Sequence, residues 1–111
     1  MKISIDTKNG VAVLKATGNL DADSVAQFKK EANKIVEGGC FQIVVDCKTL
    51  EFVDSMGLGA LISLLRKVRT SKGDLKIAGL NKEVRTIFEI TRLHCLFEIL
   101  PDLETACRTF T

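Results

Sequence analysis

Residues 41–68 read FQIVVDCKTLEFVDSMGLGALISLLRKV, and this stretch carries a strand, a loop and a helix in succession. Phe41, Ile43, Val44 and Val45 form a short β-branched and aromatic run closed by Asp46, the composition of a buried strand. Leu58, Leu61, Ile62, Leu65 and Val68 recur at helical spacing and make one apolar stripe. Between them lies Asp54-Ser55-Met56-Gly57, where the loop becomes the helix. Ser55 is placed as N-cap, its hydroxyl accepting an orphan N–H of the first turn. Gly57 and Gly59 each cost about 1 kcal/mol against Ala inside a helix. Two of them in the first turn imply that a packed strand or a partner approaches this backbone closely.

Reading outward, Lys2 to Asp6 alternates with Ile3 and Ile5 on one face, and Lys8-Asn9-Gly10 has hairpin turn chemistry. Val11, Val13 and residues 15–17 form the return strand, which Gly18-Asn19-Leu20-Asp21 ends. Val25, Phe28, Ala32 and Ile35 then share one helical stripe, with Asp21, Asp23 and Ser24 as candidate caps. Glu37-Gly38-Gly39 stops that helix, and Ser71-Lys72-Gly73 stops the central one. Leu75 to Ala78 reads as a third interior strand. Asn81 caps a helix whose Val84, Ile87, Phe88 and Thr91 share a face. Phe97 to Leu100 is a short last strand. Pro101-Asp102 opens a final helix, Pro in its first turn, with Leu103, Ala106, Cys107 and Phe110 inward. The order ββαβαβαβα predicts an α/β domain: a mixed, mostly parallel sheet with an antiparallel edge strand, packed with helices.

The 111 residues suit one domain, residues 1–111, and 46% hydrophobic content argues against disorder. A net charge of +2 argues against a dedicated nucleic-acid binder. The opening MKISID meets a charge before an apolar segment develops, so no signal peptide is expected. The longest apolar run, Leu58 to Leu65, is too short to cross a bilayer. A cytoplasmic protein with no membrane partner is the expectation. Cys40 and Cys47 bracket the central strand, about 20 Å apart at the usual strand rise, so they neither bridge nor share a metal. Cys95 follows His94 without metal-ligand spacing. Small buried thiols, no metal and no cofactor are expected, with His94 a boundary residue.

Candidate chemistries fail one by one. Ser55 at a loop–helix junction has the setting of a nucleophile elbow but lacks G-x-S-x-G and a base, since Val53 stands two before it. No phosphate-cradling glycine loop occurs, and Gly57-x-Gly59 alone is weak. A phosphorylated receiver domain would use Asp46, yet Gly18-Asn19-Leu20-Asp21 offers at most one further carboxylate for Mg²⁺. FEIL brings no lysine, so Asp46 reads as a loop anchor or a helix-facing polar residue. Arg66, Lys67, Arg69 and Lys72 solvate the end of the central helix and complement its dipole. Without interleaved aromatics they make no nucleic-acid platform. What remains is the outer face of the central helix, where Met56, Ala60, Ser63 and Lys67 point away from the apolar stripe. Met56, Ala60 and Ser63 form a small uncharged patch beside Ser55.

At these residues the chain resembles the STAS family, and within it the small bacterial anti-sigma factor antagonists. Gly18-Asn19-Leu20-Asp21 is similar to that family's G-x-[IL]-D turn, and residues 43–59 to its strand, loop and D-S-x-G-[LI]-G signature. Gly79, residues 82–92, Leu93 and Phe97 resemble its later strand, helix and closing strand. The resemblance implies a single STAS domain that binds an anti-sigma factor serine kinase and so frees a sigma factor. It implies phosphorylation of Ser55 to end binding and a serine phosphatase to restore it. By the same resemblance Asp54, Gly57 and Leu58 shape the docking edge and Asp21 is presented to the kinase. With Ser55, Met56 and Ala60 these make up the expected partner-binding set. Met56 departs from the second small residue of many relatives. With no nucleophile–base pair and no metal cluster among its motifs, the chain is predicted to be no enzyme, and a monomer when free is the expectation. The alternative is a constitutive STAS adaptor or accessory subunit, for example of a transporter complex, in which Ser55 is only a cap.

Overall fold

The computed structural model describes residues 1–110, so Thr111, the end of the expected domain, lies outside the described residues. The chain runs β1 (Lys2–Lys8), β2 (Val11–Leu20), α1 (Val25–Glu37), β3 (Gln42–Asp46), β4 (Leu50–Val53), α2 (Ser55–Thr70), β5 (Asp74–Ala78), α3 (Lys82–Ile90), β6 (Glu98–Leu100) and α4 (Leu103–Arg108), with a 3-10 turn at Leu93–Cys95. The sheet order is β1-β2-β3-β5-β6, with β4 beside the far end of β2. Among the described residues only β1 and β2 are antiparallel. Asn9 and Gly10 join them at φ +52 and +80 with Lys8 opposite Val11, the positive pair of angles that a type I′ turn requires.

The predicted α/β order holds, with one addition. β4 occupies what the sequence presents as loop, and β2 continues through Leu20 to pair with it. Gly18 faces Leu50 while Asn19 faces Phe52, so Glu51 is an extra residue in a bulge. The bulge buries Leu50 and Val53 and exposes Glu51 and Phe52, which erases the period-two signature of a strand.

Alternation along the inner strands divides the core. Ile43, Val45, Leu75 and Ile77 join Phe28, Leu61, Leu65 and Phe88 in the main core. The four residues predicted for the α1 stripe are the four buried there. On the opposite face Val11, Val44 and Ala78 meet Ala106 of α4, with Leu103, Cys107 and Phe110 partly buried against them. Pro101 precedes the N-cap and stands outside the helix; Asp102 Oδ1 accepts the Thr105 N–H at 2.8 Å. Lys76, on this second face, is buried. Its Nζ reaches Thr109 Oγ1 at 2.6 Å and Glu98 Oε2 at 3.2 Å, and lies 4.3 Å from the Phe110 ring centroid.

All four cysteines are free, but only Cys47 is buried; Cys40 and Cys107 are half-buried, and Cys95 is exposed, against the expectation of buried thiols. Burial, reinforced by the neighbouring Asp46 carboxylate, pushes the Cys47 thiol up to about 12. Asp46 is the loop anchor of the two roles expected, its Oδ1 accepting the Lys48 N–H at 3.1 Å.

Candidate functional site

The N-terminus of α2 is capped by Asp54, not by Ser55. Asp54 has extended backbone, and its Oδ1 accepts the Gly57 N–H at 2.9 Å. Both residues are competent caps, but Asp54 has a second acceptor to use. Its Oδ2 takes the Ala22 N–H at 3.1 Å, while its own N–H donates to the Leu20 carbonyl at 3.1 Å. One half-buried carboxylate thus caps the helix and staples it to the turn after β2. A negative charge at this helix end is also favoured by the dipole. Ser55 is thereby moved to the first helical position. It is exposed, and its hydroxyl bonds to nothing among the described residues.

The two glycines of the first turns have different neighbours. Gly57 is buried, and a Cβ there would strike the Leu20 carbonyl oxygen and sit 2.8 Å from both Leu20 Cγ and Val53 Cγ2. Gly59 is exposed with open space where its Cβ would be. The close approach inferred from sequence is therefore the end of β2 at Gly57, and no described residue makes one at Gly59. Leu58 and Ala60 are buried as well, at 8% and 3% exposure. Gly57, Leu58 and Ala60 are thus covered in the free chain. Ala60 does not point outward because α1 packs on a second side of α2. Of the expected set, Ser55 and Met56 are exposed, Met56 at 52%, while Asp21 and Asp54 are half-buried.

Asp21 sits in the turn that Asp54 holds. Its Oδ1 accepts the Asp23 and Ser24 N–H groups at 3.1 and 3.2 Å, and its own N–H donates to Ser24 Oγ at 3.0 Å. Ser24 occupies the N-cap position of α1, but its hydroxyl donates to the Asn19 carbonyl at 2.7 Å instead of capping. Phe52 is the surface residue that sequence reasoning misses. It lies 46% exposed on β4 opposite Asn19, at the sheet end from which α2 starts. A Phe inside an apparent loop gives no sign of being presented outward; the bulge at Glu51 turns it there.

His94 Nδ1 lies 3.4 Å from the Phe88 carbonyl of α3 and Nε2 3.6 Å from Cys95 Sγ of the same 3-10 turn. Among the described residues no three His, Cys, Asp or Glu side chains group as metal ligands, and no helix is long and apolar enough to cross a membrane.

The mixed sheet and helices that carry this turn and helix N-terminus have counterparts among known proteins. The family model described as STAS domain matches residues 2–106. The chain belongs to the STAS domain family. This STAS domain is 22% identical over 112 residues to the anti-sigma F factor antagonist of Paenibacillus polymyxa, covering 100% of this chain and 93% of that one. An anti-sigma factor antagonist from Mycobacterium paratuberculosis has the same fold, with a TM-score of 0.89 at 21% identity over 97% of this chain and 92% of that one. So does the phosphorylated form of SpoIIAA, a Bacillus cell fate determinant, with a TM-score of 0.78 at 19% identity over 99% and 100% of the two chains.

Proposed function

We propose that this STAS domain is an anti-sigma factor antagonist that docks through the N-terminal end of α2 and is switched by phosphorylation of Ser55. The partner is an anti-sigma factor that is also a serine kinase; a serine phosphatase reverses the modification. The observation that carries this reading is the division of labour between Asp54 and Ser55. Asp54 performs the capping, so Ser55 is left with an exposed hydroxyl that has no structural duty. A serine serving only as a cap would be bonded to the helix.

The chemistry of the switch follows from the same geometry. A phosphate on Ser55 would lie at a helix N-terminus, where the first N–H groups have no intrahelical acceptor and the dipole favours an anion. The fold therefore tolerates it. The added charge, about −1.5 to −2 at neutral pH, would stand next in the chain to the Asp54 carboxylate and to the exposed Met56 side chain. An apolar contact made there by a partner would be lost through repulsion and desolvation. That SpoIIAA is known in unphosphorylated and phosphorylated forms, both sharing this fold, supports the same reading.

The test is incubation with ATP and the candidate anti-sigma kinases of the source cell, with the phosphate located by mass spectrometry and binding measured before and after. Phosphate on Ser55 and loss of binding are expected. Ser55→Ala should bind persistently and stay within about 0.5 kcal/mol of wild-type stability, since it removes no cap. Ser55→Asp should weaken binding. Equal affinity of wild type, Ser55→Asp and phosphorylated protein would refute the switch, even with Ser55 modified.

A further inference from the structure

Strand β1 borders the sheet and is paired on one side only. Its seven residues run against β2 in unbroken register, without a proline or a bulge to blunt the outer edge. Lys8 closes the two-residue turn with Val11, so its backbone groups face β2. Alternation then turns Lys2, Ser4 and Asp6 toward β2 as well, and directs the N–H and C=O groups of Ile3, Ile5 and Thr7 outward. The Thr7 N–H fits this assignment, donating to the Asp6 side chain at 2.9 Å rather than to the ladder. Ile3 and Ile5 lie opposite Ala16 and Leu14 and so share the helix-covered face, with Ile5 39% exposed. Lys2, Ser4 and Asp6 line the other face.

We infer that β1 pairs with β1 of a second copy, antiparallel about a two-fold axis through Ser4, continuing the sheet from one molecule into the next. Outward-facing residues must meet outward-facing residues, so the longest overlaps are centred on Ser4 or on Ile5. Centring on Ile5 sets Lys2 against Lys8, a like-charge pair. The overlaps centred on Ile3 or Asp6 are shorter, and the second sets Asp6 against itself. Centring on Ser4 pairs Ile3 with Ile5 twice on the helix-covered face and Lys2 with Asp6 twice on the other. Apolar and charged complementarity thus select the same register. Edge pairing of this kind buries less than the roughly 1,200 Å² of a standard interface, so the dimer is a concentration-dependent one. The surface is separate from Ser55 and goes beyond the proposed function, whose failure would leave it untouched.

Sedimentation velocity of the full chain over a concentration series tests the dimer. Wild type should pass from monomer to dimer as concentration rises, and Ile5→Lys should weaken association at least tenfold. Lys2→Glu and Asp6→Lys should each weaken it by setting like charges opposite one another. The double variant Lys2→Glu/Asp6→Lys should restore it. Ser4 lies opposite itself in a non-hydrogen-bonded pair, where Cα atoms are about 4.5 Å apart, within the roughly 4.4–6.8 Å that a disulfide spans. Ser4→Cys should therefore oxidise to a covalent dimer, with peptide mapping placing the bridge at position 4. A chain that stays monomeric at its highest soluble concentration overturns the proposal. So does a dimer that survives Ile5→Lys, or a charge-swapped double variant that stays as weak as the singles.

Discussion

A single methyl group added at Gly57 would be driven into the Leu20 carbonyl and against the Leu20 and Val53 side chains, all parts of the packed end of the sheet. Gly57→Ala should cost about 3 kcal/mol, the scale of overpacking in a filled core. Gly59→Ala meets open space and gains helix propensity, so it should stabilise by about 0.5–1 kcal/mol. Urea denaturation of the two variants checks both signs. From sequence the glycines are indistinguishable, because both stand in the first turns of one helix and only the approach of β2 separates them. Asp54 and Ser55 pose the same difficulty. Either could cap, and the choice depends on an N–H at Ala22 that is distant in the chain. Among the thiols, Cys47 is held almost wholly protonated by burial and should resist alkylation at pH 8, whereas exposed Cys95 should react; labelling with mass spectrometry separates them. The folded Cys47 value lies above the ordinary 9.0. Its contribution to stability is thus complete below that pH and lost as pH climbs toward 12, so Cys47→Ala should flatten the alkaline fall in stability.

At the level of elements, α1 and the first hairpin are legible because each obeys one rule. The α1 stripe is one-sided, and the Asn9-Gly10 turn requires positive φ at both positions. Helix α2 is harder, since it is buried on two sides. Leu61, Leu65 and Val68 belong to the stripe read from sequence, while Ala60 and Leu64 are buried outside it. A helical wheel drawn for one apolar face assigns Ala60 to solvent and is wrong for that reason. Strand β4 escapes altogether, because its bulge spaces Leu50 and Val53 three apart. The same bulge makes a prediction about docking. Phe52→Ala removes a half-exposed ring from β4 without opening the core, so it should change stability by less than about 0.5 kcal/mol. If the proposed docking face is right, it should weaken partner binding by more than 1 kcal/mol, the threshold for a contributing interface residue. Calorimetry of the purified pair measures this.

For the whole molecule, β2 is the strand on which the others depend: it pairs with β1, β3 and β4, while α1–α3 cover one face of the sheet and α4 covers the other. The second face is the thinner layer, and α4 is fastened there by Lys76 through Thr109 and the Phe110 ring. Thr109→Val should leave the buried ammonium short of an acceptor, costing about 1–3 kcal/mol. Hydrogen exchange should then quicken in α4 before it does in β3 or β5. At the opposite border, the turn that registers β1 also governs how the protein ages in storage. An asparagine followed by glycine offers its side-chain amide to an unhindered backbone nitrogen, and Asn9-Gly10 is such a pair on an exposed loop. Attack of the Gly10 backbone nitrogen on the Asn9 side-chain carbonyl, with loss of ammonia, closes a succinimide, and its hydrolysis to isoaspartate would insert a methylene into the main chain between Lys8 and Val11. Those two residues would then no longer close the turn, and the sheet would come apart from that side first, in a molecule whose sequence, read by its genes, had not changed.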